Sequence, residues 1–267
     1  FISFAGSAVQ AIPYPAEASN LAVGIYPQQR ALDISNDNKV VGYTFIQNID
    51  ADAVESPQAR PFVYDYDNDS YTIIPLFSDD VTRSGSARAI NSSGVIVGWA
   101  ISEAENNPAH ALLWDPSAPD ISIDLGTLGG LTSDASDIND NGIAVGKSET
   151  SELYAENEQL GFIYDPSLAT PMIAIPEFSD DADFRTSTAF AINNYNQVVG
   201  TAQISAGFTP LNTAFLYDYN AETLINLNDM VDCSFNWEII VARDINDNGV
   251  ITGSGTVNGE VHSFLLI

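Results

Sequence analysis

Asp137-Ile-Asn-Asp-Asn-Gly-Ile-Ala-Val-Gly146 decides the fold, because the chain writes this phrase five times. The other copies are Asp33-Ile-Ser-Asn-Asp-Asn-Lys-Val-Val-Gly42, Ala89-Ile-Asn-Ser-Ser-Gly-Val-Ile-Val-Gly98, Ala191-Ile-Asn-Asn-Tyr-Asn-Gln-Val-Val-Gly200 and Asp244-Ile-Asn-Asp-Asn-Gly-Val-Ile-Thr-Gly253. Their final glycines stand 56, 48, 54 and 53 residues apart. A second pattern follows each copy: Pro61-Phe-Val-Tyr-Asp65, Ala111-Leu-Leu-Trp-Asp115, Gly161-Phe-Ile-Tyr-Asp165, Ala214-Phe-Leu-Tyr-Asp218 and Ser263-Phe-Leu-Leu-Ile267. A third follows the first four: Thr72-Ile-Ile-Pro-Leu76, Ile121-Ser-Ile-Asp-Leu125, Met172-Ile-Ala-Ile-Pro176 and Leu224-Ile-Asn-Leu227. Self-similarity at a fixed period is the mark of a repeat architecture.

Each piece has a local reading. Ile-Asn-x-x-Gly/Asn between apolar stretches is a tight β-hairpin. The residue before its second strand is Gly94, Gly142, Gly249, Asn38 or Asn196, types that tolerate positive φ. Val-Val-Gly is a short β-branched strand. Phe-Leu-Tyr-Asp is an aromatic strand stopped by turn chemistry such as Asp115-Pro-Ser and Asp165-Pro-Ser. No segment carries a sustained 3.6-residue period with caps, so the class is all-β. Four short strands in ~50 residues make a propeller blade. A lone unit would leave its faces and edges bare, and neighbours must cover them.

The expected architecture is a five-bladed β-propeller of four-stranded blades, one domain over residues 1–267. Blade units fall at about 30–84, 85–132, 133–184, 185–238, and 239–267 plus 1–15. The fifth unit lacks the third pattern. Val9-Gln-Ala-Ile-Pro-Tyr14 resembles it and precedes the first hairpin, so the N-terminal strand is expected to complete the last blade and close the ring. The stretches 46–58, 102–109, 148–159 and 203–212 read as loops on one shared face. Insertions at one slot of a repeat mark its interaction face.

The 267 residues hold 36 acidic and 8 basic side chains, a net charge of −28. Such a chain repels nucleic acid and anionic membrane surfaces. The sign suits surroundings rich in salt or divalent cations. Apolar content of 45% is enough for a core. No run approaches the ~18 apolar residues of a membrane span, so membrane insertion is not expected. One cysteine, Cys233, gives no intrachain disulfide or Cys-based zinc site, and two histidines exclude a His-rich metal site. The first residue is Phe1, which reads as a processed or truncated start.

The repeats resemble the bacterial extracellular-repeat family named for its His-Ala-Phe (HAF) motif. Its pattern runs Ala-x-x-Ile-Asn-x-x-Gly-x-Val-Val-Gly, then His-Ala-Phe-Leu-Trp, then Asp-Leu-Gly-Thr-Leu-Gly-Gly. Unit two matches best, with His110-Ala-Leu-Leu-Trp114 and Asp124-Leu-Gly-Thr-Leu-Gly-Gly130, and unit five keeps His262-Ser-Phe264. The resemblance covers about Val9 to Ile267 and implies a secreted or cell-surface bacterial protein. It transfers no catalytic residue. Units one, three and four lack the His, which argues against a shared functional role for it.

Three groups of residues carry candidate chemistry. Asp137-Ile-Asn139-Asp-Asn141-Gly142 and Asp244-Ile-Asn246-Asp-Asn248-Gly249 match the first half of a Ca²⁺ loop. The Glu expected at its twelfth position is missing, with Ser148 and Gly255 there, and the hairpin-turn reading outweighs the metal. Asp33, Asp137 and Asp244 share one strand position, filled by Ala89 and Ala191 in the other units. On an innermost strand they converge on the central channel. There they could hold a cation, act as acid and base of a glycosidase, or bond backbone amides of their own or the next blade. The last outweighs the others, since no Glu recurs at a strand position to partner them. His110 and His262 read as packing or hydrogen-bonding residues at a blade edge, and Tyr64, Trp114, Tyr164 and Tyr217 as filling between blades. Cys233 reads as a small buried hydrophobe. Nucleophile-elbow, phosphate-loop, dinucleotide and zinc-protease motifs are absent.

The sequence therefore points to a non-enzymatic interaction module that binds protein or glycan through loops on one face, within a larger extracellular assembly. A carbohydrate-active propeller enzyme using channel carboxylates is the alternative. A calcium-stabilised subunit of an extracellular filament or matrix is the third reading.

Overall fold

The computed structural model describes residues 11–14, 28–46, 49–50, 53–54, 58–78, 83–151, 158–178, 186–206 and 209–267. The first unit supplies β1 (Gln29–Ile34), β2 (Lys39–Ile46), a small hairpin of β3 (Ile49–Asp50) and β4 (Ala53–Val54), then β5 (Gln58–Asp65) and β6 (Ser70–Ile73). The second gives β7 (Gly85–Ile90), β8 (Ile96–Ile101), β9 (Ala109–Trp114) and β10 (Ser122–Asp124). The third gives β11 (Gly129–Ile138), β12 (Ala144–Thr150), β13 (Gln159–Tyr164) and β14 (Met172–Ala174). The fourth gives β15 (Ser187–Ile192), β16 (Gln197–Ala206), β17 (Thr209–Asp218) and β18 (Thr223–Asn226). The fifth gives β19 (Trp237–Ile245), β20 (Ile251–Val257) and β21 (Glu260–Leu266). Every unit is one antiparallel meander, four-stranded in units one to four and three-stranded in the fifth. The described residues contain no α-helix, only short 3₁₀ turns at Leu227–Met230 and Cys233–Phe235.

The repeated phrase folds the same way each time. The predicted turn residues Asn38, Gly94, Gly142, Asn196 and Gly249 take φ of 60, 80, 78, 64 and 76°. Besides one further slip each in β11 (Gly129/Ser133) and β19 (Ile239/Val241), every first strand slips register at the same place in the phrase: Ala31/Asp33, Ala87/Ala89, Ala135/Asp137, Ala189/Ala191 and Ala242/Asp244. This bulge brings a carbonyl against the glycine that ends the phrase. A Cβ at Gly42, Gly98, Gly146, Gly200 or Gly253 would lie 1.8–2.1 Å from the facing backbone oxygen, so only glycine fits.

Successive sheets pack face to face. Val41 and Val63 of the first sheet meet Ile96, Leu112 and Trp114 of the second. Val97 and Leu113 then meet Ala144 and Phe162, Val145 and Ile163 meet Val198 and Phe215, and Val199 meets Ile251, with Phe264 packed alongside. Period-2 alternation explains this: the first valine of each pair of neighbours faces one sheet and the next residue faces the other. The largest of these side chains (Phe62, Phe162, Phe215) are sealed from water. Such burial is worth about 2 kcal/mol per large apolar side chain.

The seam between the fifth and first sheets differs. Among the described residues no apolar cluster joins the two. Val261 and Leu265 are 75% and 64% exposed, and Ile34 of β1 is 61% exposed. The fourth strand expected for the fifth sheet, Val9–Tyr14, lies partly outside the described residues, and Ala11–Tyr14 form no strand. The expected loops at 46–58 and 148–159 also lie largely outside them. The expected loop at 203–212 is instead mostly strand. There β16 and β17 pair from Gln197↔Asp218 out to Ala206↔Thr209, because nothing between Gln203 and Ala206 breaks the ladder.

Candidate binding face around the central channel

The hairpin turns of all five units meet. Residues 33–36, 90–92, 138–140, 192–194 and 245–247 line one cavity of about 310 Å³. Of the carboxylates read from the sequence, Asp33 lines it and Asp137 and Asp244 immediately precede its lining residues; each binds backbone. Asp33 accepts from the Ile34 amide at 2.8 Å through Oδ1 and from the Ile90 amide of the next sheet at 2.9 Å through Oδ2. Asp137 accepts from Ile138 and from Ile192 of the next sheet, both at 2.8 Å. Asp244 accepts from Ile245 at 2.8 Å. The Asp/Ala alternation thus has a reason. Five equivalent amides need acceptors, one carboxylate serves two, and Ala89 and Ala191 stand where the preceding Asp already satisfies the amide.

Burial, countered by those two amides and reinforced by Asp33 and Asp244, pushes Asp137 up to about 7.

A second tier of bonds runs around the channel mouth. Asn91 Nδ2 donates to Asn139 O at 3.1 Å, Asn139 Nδ2 to Asn193 O at 3.0 Å, and Asn193 Nδ2 to Asn246 O at 3.2 Å. Above it, the amides of Ser92, Asp140 and Asn194 donate to Asp140, Asn194 and Asp247 side chains at 2.8–2.9 Å. The Ser92 amide holds Asp140 below the usual carboxylate range. The first unit has Ser35 where the others have Asn, and the ladder runs from sheet two to sheet five. The asparagine column is visible in the sequence as turn residues and candidate Ca²⁺ ligands, but its inter-sheet role joins residues about 50 apart and is not.

The oxygens proposed for Ca²⁺ are occupied in the same way. Asn139 Oδ1 accepts from Asn141 and Ile143 amides at 3.0 and 3.1 Å, and Asn246 Oδ1 from Asn248 and Val250 amides at 3.0 Å each. The five candidate ligands (Asp33, Asp137, Asp244, Asn139, Asn246) ring one channel, but each described carboxylate or amide oxygen bond goes to a backbone N–H. Among the described residues no group of three or more His, Cys, Asp or Glu side chains is placed to hold a metal.

His110 does more than pack. Its Nδ1 faces the Asp124 carboxylate at 2.8 and 3.0 Å and its Nε2 faces Leu131 O at 3.1 Å, so it ties β9 to β10 and to β11 of the next sheet. Tyr64, Trp114 and Tyr217 are buried in the sheet faces, and Tyr164 packs against the core between sheets two and three. Cys233 opens the second 3₁₀ turn, and its side chain lies outside the described residues.

The profile of the family described as "Protein of unknown function (DUF3466)" matches residues 24–128 and again 126–264. The chain belongs to the DUF3466 family. No curated protein matches it. Among solved structures, this DUF3466 chain is similar to TolB from Acinetobacter baumannii, with 10% identity and a TM-score of 0.52. The similarity covers 90% of this chain and 51% of that one, so this chain spans about half the length of that TolB chain. It is also similar to the β-propeller domain of the Trilobed protease from Pyrococcus furiosus, a structure described as having an open velcro topology. There the identity is 12%, the TM-score 0.41, and the coverage 91% of this chain and 81% of that one. At 10% identity the likeness to TolB speaks to the fold alone, which is propeller-like.

Proposed function

We propose that the chain is a five-bladed β-propeller that works as a non-enzymatic interaction module, secreted or at the bacterial cell surface. The resemblance to HAF repeats supports that location. Sheet-to-sheet packing around one channel supports five blades in a single domain. Closure by the N-terminal strand draws support from one contact. Pro13 O lies 3.5 Å from Gln29 Nε2 of β1, which also donates to Tyr71 Oη on the outer strand β6 at 2.9 Å, so residues 11–14 approach the first sheet as a strand of a preceding blade would.

One observation carries the functional reading. Asp33, Asp137 and the asparagine column are spent on holding neighbouring sheets together, and Asp244 on its own turn, so recognition falls to surface turns and loops. The test is retention of the purified protein on bacterial envelope fractions, assayed together with reducing-sugar release from a polysaccharide panel. Retention without release is expected. Absence of retention, or sugar release abolished by Asp137→Ala, overturns the reading.

The second reading, a carbohydrate-active enzyme, draws on Asp137, whose carboxyl is pushed up to about 7 by burial, the direction a general acid requires. Against it, both oxygens of Asp137 already accept backbone amides.

A further inference from the structure

We infer that the groove between the fourth and fifth sheets, on the turn-lined face, binds a neutral glycan with Tyr195 as its stacking platform. This rests on the interaction-module reading above. The groove holds about 580 Å³ and is lined by Tyr195, Gln197, Asp218, Asn220, Asp247 and Asn248, among others.

Tyr195 stands at the turn position filled by Asp37, Ser93, Asn141 and Asn248 in the other units. The turn asks only for a backbone amide there. Tyr195 N donates to Asn193 Oδ1 at 3.0 Å, as Ser93, Asn141 and Asn248 donate to their own asparagines at 3.0–3.1 Å. The aromatic side chain adds nothing to this. It is 64% exposed, and its hydroxyl bonds to no other described residue. Four units form the same hairpin with a small polar residue, so the fold does not explain the ring.

The surroundings supply the rest of a sugar site. Gln197 Oε1 is used by Asn193 and Asp218 Oδ1 by the Ala221 amide. That leaves Gln197 Nε2, Asp218 Oδ2 and the side-chain carboxamide of Asn248 without partners among the described residues. Planar amide and carboxylate groups match pairs of neighbouring hydroxyls, and a flat exposed ring takes the C–H face of a pyranose. Asp218 and Asp247, with the net charge of −28, exclude an anionic ligand. A protein hot spot would need a deeper apolar pocket than one ring provides.

Isothermal titration with cellohexaose, chitohexaose and mannohexaose tests this. At least one should bind. Tyr195→Ala should weaken it by about tenfold or more, while Tyr195→Trp stays within about threefold. Both variants should keep the wild-type Tm, because the turn uses only the backbone of residue 195. No binding by any of the three, or equal binding by Tyr195→Ala, overturns the site. Envelope retention that protease treatment of the envelope abolishes, without hexasaccharide binding, overturns the glycan and leaves the module reading standing. Loss of all retention overturns the module reading itself.

Discussion

The Ile192 amide donates to Asp137 Oδ2 across the gap between the third and fourth sheets, at 2.8 Å. This carboxyl is buried between the two sheets, with its pKa raised to about 7, above its ordinary 3.8. A carboxyl raised on folding stabilises the fold in its protonated form. That contribution is complete below about pH 4 and is lost as pH rises through about 7. Tm measured at pH 5 and pH 8 should therefore fall more in the wild type than in Asp137→Asn. Equal falls in the two proteins would remove Asp137 as the source.

The bulge predicts which glycines are irreplaceable. A Cβ on Gly200 would lie 2.0 Å from Thr188 O and 2.6 Å from the Phe215 ring, whereas one on Gly259 meets nothing within 4 Å. Gly200→Ala should cost about 2–3 kcal/mol through overpacking. Gly259→Ala should cost about 1 kcal/mol, for its positive φ alone. Urea unfolding of both variants measures the difference, and equal losses would contradict the close approach.

His110 and Asp124 couple the two halves of the unit-two motif. A double-mutant cycle of His110→Gln and Asp124→Asn should give a coupling of about 1 kcal/mol. A value indistinguishable from zero would make the contact incidental.

Calcium should behave as an ordinary divalent ion. Asn139 and Asn246 give their oxygens to backbone amides. Melting in calcium and in magnesium at equal ionic strength should give the same Tm, since neither ion finds a specific site in the folded state. A calcium-specific rise would reinstate the turns as ligands.

Much of this was legible in advance, for definite reasons. Turn type is a local property, so Gly94, Gly142 and Gly249 announced their positive φ in five-residue windows. The alternation of Asp33, Ala89, Asp137, Ala191 and Asp244 was equally visible. That these carboxylates bond backbone amides of their own or the next blade was legible too; which amide each serves was not, because the one served by Asp137 lies 55 residues away and the bulge that aims it is tertiary. Tyr195 was hidden by the same locality. As a turn residue it is unremarked, and only its exposure against the small polar residues of the other units sets it apart.

Among the described residues the outer flank of β21 is open, which has a consequence for how the molecule comes apart. The second, third and fourth sheets are each packed on two faces, so losing one forfeits both, while the first and last sheets each forfeit fewer. Fraying is expected to begin at the last sheet, with amide exchange in β20 and β21 running ahead of that in β12 and β13, so that the row of sheets unravels from one end instead of melting evenly.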